Sequence, residues 1–177
     1  MAGSGLARLQ QAGIAVHGPL LEEPARQLNR GFIKRHEQGE PWITIKSAMS
    51  LDGRTAMASG QSQWITSPAA RADVQRLRAV SCAVVTGIGT VSCDDPAMTV
   101  REVSADDGAI RQPLRVVVDS QLKLSPEAAL LRQAGAILVV TAEAADHPRA
   151  QALAAAKADL EVLQLAADSG RVDLAAL

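Results

Sequence analysis

The sequence predicts an α/β domain built on a largely parallel sheet with flanking helices. Four short runs rich in β-branched residues read as strands: "CAVVTG" (82–87), "LRVVVDS" (114–120), "AILVVT" (136–141) and "LEVLQL" (160–165). A well-capped helical stretch precedes the first run, and an alanine-rich one that begins near Pro148 separates the last two. Strands that alternate with helices pair in parallel, because a crossover helix must return the chain to the same end of the sheet.

From the N-terminus, a short helix is expected around Leu6–Gln11, with Gly13 as its stop. A second runs from about Glu22 to Arg35, with Ala25, Leu28, Phe32 and Ile33 on one face. The charged, Gly-containing "KRHEQGEP" (34–41) reads as a linker. "WITIKSAM" (42–49) alternates like a strand, Ile43 and Ile45 to one side and Thr44 and Lys46 to the other. Asp52-Gly53 supplies a turn. Ser67 then reads as an N-cap with Pro68 at the first helical position, and Ala70, Val74 and Leu77 form the apolar stripe of that helix.

Composition narrows the function. The 177-residue chain carries 18 basic and 19 acidic side chains, for a net charge of −1, with two Trp, one Phe and no Tyr. Without a basic block or aromatics for base stacking, no nucleic-acid partner is expected. No apolar stretch reaches the roughly 18 residues of a membrane helix, and "MAGSGLARLQQAG" lacks a signal-peptide core, so a cytoplasmic protein is expected. Cys82 and Cys93 lack CxxC spacing, and His17, His36 and His147 lie far apart. No metal site is predicted, and the two thiols read as small, mostly buried side chains.

In parallel sheets ligands gather at the carboxyl ends of strands, which directs attention to the loops after Lys46, Thr86 and Val118. "GIGTVSCDDP" (87–96) follows a strand and resembles a dinucleotide-binding glycine loop, but no helix of useful length fits before Pro96, and a plain turn is the better reading. Asp94-Asp95-Pro96 is either a carboxylate pair or a turn initiator. Arg78 and Arg101 are either a phosphate clamp or two solvated surface arginines. Lys46 faces either solvent or a polar cleft. Periodicity and composition reach no further than a soluble α/β domain with a candidate nucleotide loop.

Several dense motifs go further when taken together. "KSAMSLDGRTAMASGQSQWITSPAARADVQRLRA", "GTVSCDDPAMTVR" and "RQPLRVVVDSQLKL" closely resemble the reductase half of the bacterial riboflavin-pathway pyrimidine deaminase/reductase family, and occur in that family's order. The resemblance covers residues 40–177, the N-terminal part of a reductase domain. Residues 1–39 resemble the tail of the preceding deaminase domain and the hinge. It implies a dihydrofolate-reductase-like fold and NADPH-dependent reduction of the ribosyl group of 5-amino-6-(5-phosphoribosylamino)uracil to a ribityl chain.

By matching position, the family's NADP contacts fall on Ala48, Trp64, Thr90, Asp94 and Ser120, and its substrate contacts on Ser62, Arg78, Met98 and Arg101. Lys46 and Asp94 are the local candidates for catalytic proton transfer. A tryptophan in the polar loop "SGQSQWITSP" (59–68) is then a wall of the cofactor site. The family also tends to pair its reductase domains, which implies a homo-oligomer.

Two departures stand beside this. The deaminase zinc signature, H-x-E followed by P-C-x-x-C, is absent, so no deaminase activity is expected. The family continues, past the position of Leu177, with a glycine motif, a helix and further strands, whereas here the chain stops at "RVDLAAL", which reads as a helical start. The expectation is a reductase truncated at both ends and poorly active alone. The alternatives are a non-catalytic remnant, or a related dihydrofolate-reductase-like enzyme acting on another pterin or pyrimidine. Retained phosphate-binding arginines argue against the last of these.

Overall fold

The computed structural model describes residues 3–101 and 110–177. The chain forms two compact units, 1–48 and 49–177.

The first unit is helical. Helix α1 (Ser4–Gln11) ends before Gly13, which takes the positive φ of 77° expected of a stop. The single helix expected from Glu22 is instead two, α2 (Glu22–Leu28) and α3 (Arg30–Gln38), broken at Asn29, whose φ of −108° leaves the helical range. Its side-chain amide donates to the carbonyl of Ala25 at 2.9 Å, giving the backbone a local alternative to the helix. The expected linker is helical as far as Gln38. Gly39, at φ 75°, ends it.

Residues 42–49 form no strand. An alternating run becomes a strand only where a neighbour completes its backbone hydrogen bonds, and among the described residues none does. Ile43 and Ile45 are accordingly 73% and 90% exposed.

The second unit carries the sheet. After the turn at Asp52-Gly53, where the Gly53 N–H donates to the Ser50 carbonyl at 2.9 Å, the chain reaches α4 (Pro68–Val80). Its start is as expected: the Ser67 hydroxyl accepts from the Ala70 N–H at 3.2 Å, and Pro68 fills the first position. Its expected apolar stripe is not fully covered; Val74 is half-buried, but Leu77 remains 41% exposed.

Strands β1 (Ala83–Gly87), β2 (Leu114–Val118), β3 (Ile137–Thr141) and β4 (Leu160–Gln164) follow, all parallel and side by side in chain order. Between β1 and β2 lies α5 (Ile88–Asp94), between β2 and β3 a 3-10 turn (Ala129–Arg132), and between β3 and β4 helix α6 (Pro148–Ala156). The seven residues of α5 correct the expectation of a plain turn before Pro96.

Sequential strand order has a consequence. Right-handed crossovers that all step the same way lie on one face of the sheet. That face holds the main core, in which Val117, Ile137 and Val139 meet Val91 of α5, Leu130 of the 3-10 turn and Leu153 of α6. The alternate residues Val116 and Val140 form a smaller cluster on the other face with Val172. The expected helical start at 171–177 is not helical; Val172 makes an isolated antiparallel bridge with Ala166 instead. Nor are the two cysteines buried. Cys82 precedes the edge strand β1, Cys93 lies on the outer side of α5, and both are exposed.

Candidate functional site

The carboxyl ends of β1 and β2 adjoin, since Gly87 and Val118 are register partners. Each end leads into a feature able to face a ligand. After β1, Gly87 and Gly89 open onto empty space, where an added Cβ would meet nothing within 4 Å. Thr90 and Asp94 follow on α5, four residues apart and so on the same side, both exposed.

The second aspartate of the pair is structural. Asp95 adopts a positive φ of 39°, accepts from the Ala129 N–H at 2.7 Å and approaches Arg132 at 3.8 Å. Asp94 makes no hydrogen bond or ion pair with the described residues.

After β2, Asp119 is fully buried. Its backbone N–H donates to Val140, and one carboxylate oxygen accepts from the Leu124 N–H at 2.7 Å, while the other has no partner among the described residues. That closes the turn presenting Ser120, which is half-buried and whose hydroxyl accepts from the Val172 N–H at 3.1 Å. The Ser120 proton is left to donate elsewhere.

A second cluster gathers around the segment after Pro96. Arg78, half-buried on α4, donates to the Thr99 carbonyl at 3.0 Å. Burial, and then the neighbouring Arg101 charge, hold its guanidinium below the ordinary range. Arg101 is exposed, and no carboxylate among the described residues pairs with either arginine. Met98 is brought to the same place but is only 6% exposed, with φ 54°, so little of its side chain is open to a ligand.

Ser62 and Trp64 lie on the loop before α4. Ser62 is half-buried. Trp64 is 69% exposed, with the Arg71 guanidinium 4.4 Å from its ring centroid. Arg71 is itself anchored to the Thr66 carbonyl at 2.6 Å, so it serves as a fixed support for the ring. A broad apolar surface is left on the indole. Lys46, exposed, and Ala48, half-buried, belong to the first unit.

The residues present fit a dinucleotide. An open glycine loop at a strand end, a hydroxyl with a free proton and an uncovered indole suit phosphate, ribose and a flat ring respectively.

Sequence reasoning missed several residues. Gln75, Gln112 and Arg71 carried no signal, because a lone Gln or Arg in a helix or before a strand reads as surface. Arg115 carries no signal inside "LRVVV" yet is fully buried, donating to the carbonyls of Leu130 (2.6 Å), Ala134 (3.0 Å) and Gly135 (2.7 Å).

Residues 41–177 match the family described as the RibD C-terminal domain. Over 143 residues the chain is 52% identical to the riboflavin biosynthesis protein RibD of Escherichia coli (strain K12), covering 76% of this chain and 39% of that protein. It thus spans about two fifths of that relative's length. Among solved structures, Acinetobacter baumannii RibD (form 1) superposes with a TM-score of 0.79 at 41% identity, over 95% of this chain and 45% of that one. A diaminohydroxyphosphoribosylaminopyrimidine deaminase/5-amino-6-(5-phosphoribosylamino)uracil reductase from Thermotoga maritima does so with a TM-score of 0.71 at 27% identity, over 92% of this chain and 50% of that one. The expected fold, a dihydrofolate-reductase-like parallel sheet with flanking helices, is the one these relatives share.

Proposed function

Because this chain belongs to the RibD C-terminal domain family, we propose that it is part of an NADPH-dependent reductase of riboflavin biosynthesis. The substrate is 5-amino-6-(5-phosphoribosylamino)uracil, whose ribosyl group is reduced in place to a ribityl chain. In this reading residues 1–39 connect from a deaminase domain, and residues 40–177 are reductase sequence that pairs with a second copy.

One observation supports the substrate class above the others. Arg78 and Arg101 are held near one another without a described carboxylate between them. Two such cations are stabilised by a shared dianion, and a sugar 5-phosphate supplies one. Binding energy collected at the phosphate then orients the sugar's C1′, remote from it. Ser62 and the Met98 backbone complete the substrate side.

The cofactor side falls to Ala48, Trp64, Thr90, Asp94 and Ser120. NADPH, when bound, supplies a hydride. The chain's own residues supply position and a proton. C1′ accepts a hydride only in a ring-opened or imine-like sugar, and charge developing on nitrogen or oxygen must be met by a donor. Asp94, exposed and unpaired among the described residues, and Lys46 are the groups assigned to hold or move that proton.

Turnover tests the proposal. The whole reductase that contains these residues, mixed with substrate and NADPH, should yield the ribityl product, one NADPH oxidised for each product formed. The same rate with NADH would remove the NADPH assignment. Binding of both ligands by that whole protein without product would remove the reductase itself.

A further inference from the structure

Residues 97–101 belong to no helix or strand, yet Met98, Thr99 and Val100 are 6%, 8% and 4% exposed. A buried loop must find partners for its backbone groups or lose about as much as a missing hydrogen bond for each. Here side chains provide them. Gln112 accepts from the Val100 N–H at 2.8 Å and donates to the Val100 carbonyl at 3.2 Å. Gln75 accepts from the Arg101 N–H at 3.0 Å, and Arg78 donates to the Thr99 carbonyl at 3.0 Å. Arg115 reaches the Ala97 carbonyl at 3.5 Å.

We propose that Gln112 and Gln75 are positioning residues that hold Arg101 beside Arg78, so that the two arginines form an anion site before any ligand arrives. The inference rests on the reading of these arginines as a phosphate clamp. Two like charges at close range repel, and a long side chain on a free loop would turn to solvent. What prevents it is the backbone. The Gln112 amide, using one N–H and its oxygen, stands where the peptide of a neighbouring strand would, and fixes Val100 on both sides.

Gln75 and Arg78 lie three apart on α4 and so project from one face. One holds the N–H of Arg101 and the other the carbonyl of Thr99. The segment is therefore locked at both ends of a two-residue step to the helix that carries the partner arginine. Ordering done in the free protein is not repeated on binding, which raises affinity without a new contact.

A double-mutant cycle tests this, with ribose 5-phosphate as the probe and calorimetry on the 177-residue chain as the readout. Gln112→Leu should weaken binding about three- to tenfold, the range expected for lost neutral hydrogen bonds acting through Arg101. In an Arg101→Ala background the same change should alter affinity less than about twofold, because nothing remains to be positioned. Equal losses in both backgrounds would show a general structural role and overturn the inference, as would no loss in the wild-type background. Should Arg101→Ala itself leave affinity unchanged, the phosphate clamp fails first, a result distinct from either. Gln75→Leu, which removes a single acceptor from a half-buried position, repeats the cycle should Gln112→Leu not fold. Thermal unfolding of every variant reports that directly.

Discussion

Arg78 donates to the backbone carbonyl of Thr99 at 3.0 Å, two residues before Arg101, so one arginine holds the segment that presents the other. This contact uses one donor of the guanidinium fork and leaves the rest for a ligand.

Replacing Arg78 with Ala in a completed chain should therefore weaken the phosphorylated substrate and leave NADPH almost untouched. Loss of a charge-assisted contact corresponds to roughly 1.5–3 kcal/mol, or about 10- to 150-fold. Steady-state KM values for both ligands measure it. Equal losses for the two would indicate damage to the fold and defeat the assignment. The wild-type affinity for the phosphosugar should also fall with ionic strength, since Arg101 is exposed and open to screening.

Trp64 gives an optical test. Its ring is backed by Arg71 and otherwise largely open, so NADPH laid against it should quench its emission. Trp42 is the internal control, with Arg30 at 4.7 Å from its ring centroid in the first unit. Trp64→Leu should remove most of the NADPH-dependent quenching, and Trp42→Leu little of it. The opposite pattern would reverse the assignment.

Arg115 concerns stability. Its guanidinium is wholly buried and held below its usual range by burial, with no carboxylate beside it among the described residues. What offsets the burial is a ring of carbonyls in and just after the 3-10 turn, those of Leu130, Ala134 and Gly135, of which Leu130 also accepts from the Gln133 N–H at 3.4 Å. Arg115→Met keeps much of the volume but removes the charged donor that these carbonyls share. Thermal unfolding should show a loss of about 2–4 kcal/mol, within the range for breaking a buried hydrogen-bond network. A change within about 0.5 kcal/mol would mean that water replaces the guanidinium, as at ordinary surface positions.

The legibility of these features in the sequence follows their range. Val116, Val117 and Val118 were readable as a strand because β-branched residues pack well on a pleated surface that is covered on both sides. Ser67-Pro68 was readable because a cap acts within three residues. Residues 42–49 misled because alternation reports which sides differ, not whether a partner strand exists. Asn29 misled because apolar spacing continues across a break that a single side-chain amide stabilises. The arginine pair was legible as either a clamp or two surface charges, and only resemblance to a family favoured the clamp. Gln112 was invisible even then, since its partner Val100 lies twelve residues away and no local pattern joins them.

Gly135 ties the fold to the site. It sits at φ +99°, where side chains are strained, and an added Cβ would come within 3.2 Å of the Gln112 Cβ and 3.6 Å of an Arg115 guanidinium nitrogen. Gly135→Ala therefore strains the backbone and presses on the residue that holds Val100. The backbone part alone is about 1–3 kcal/mol. If Gln112 yields to the new methyl, its paired hydrogen bonds with Val100 lengthen and Arg101 loses its fixed place. The variant should then be less stable and also bind ribose 5-phosphate more weakly, by about the factor seen for Gln112→Leu. Adding Gln112→Leu to Gly135→Ala should cause little further loss of affinity, because both act on one contact. Full additivity in affinity would show that the glycine serves the fold alone, and would separate the packing around Arg115 from the positioning of the anion site.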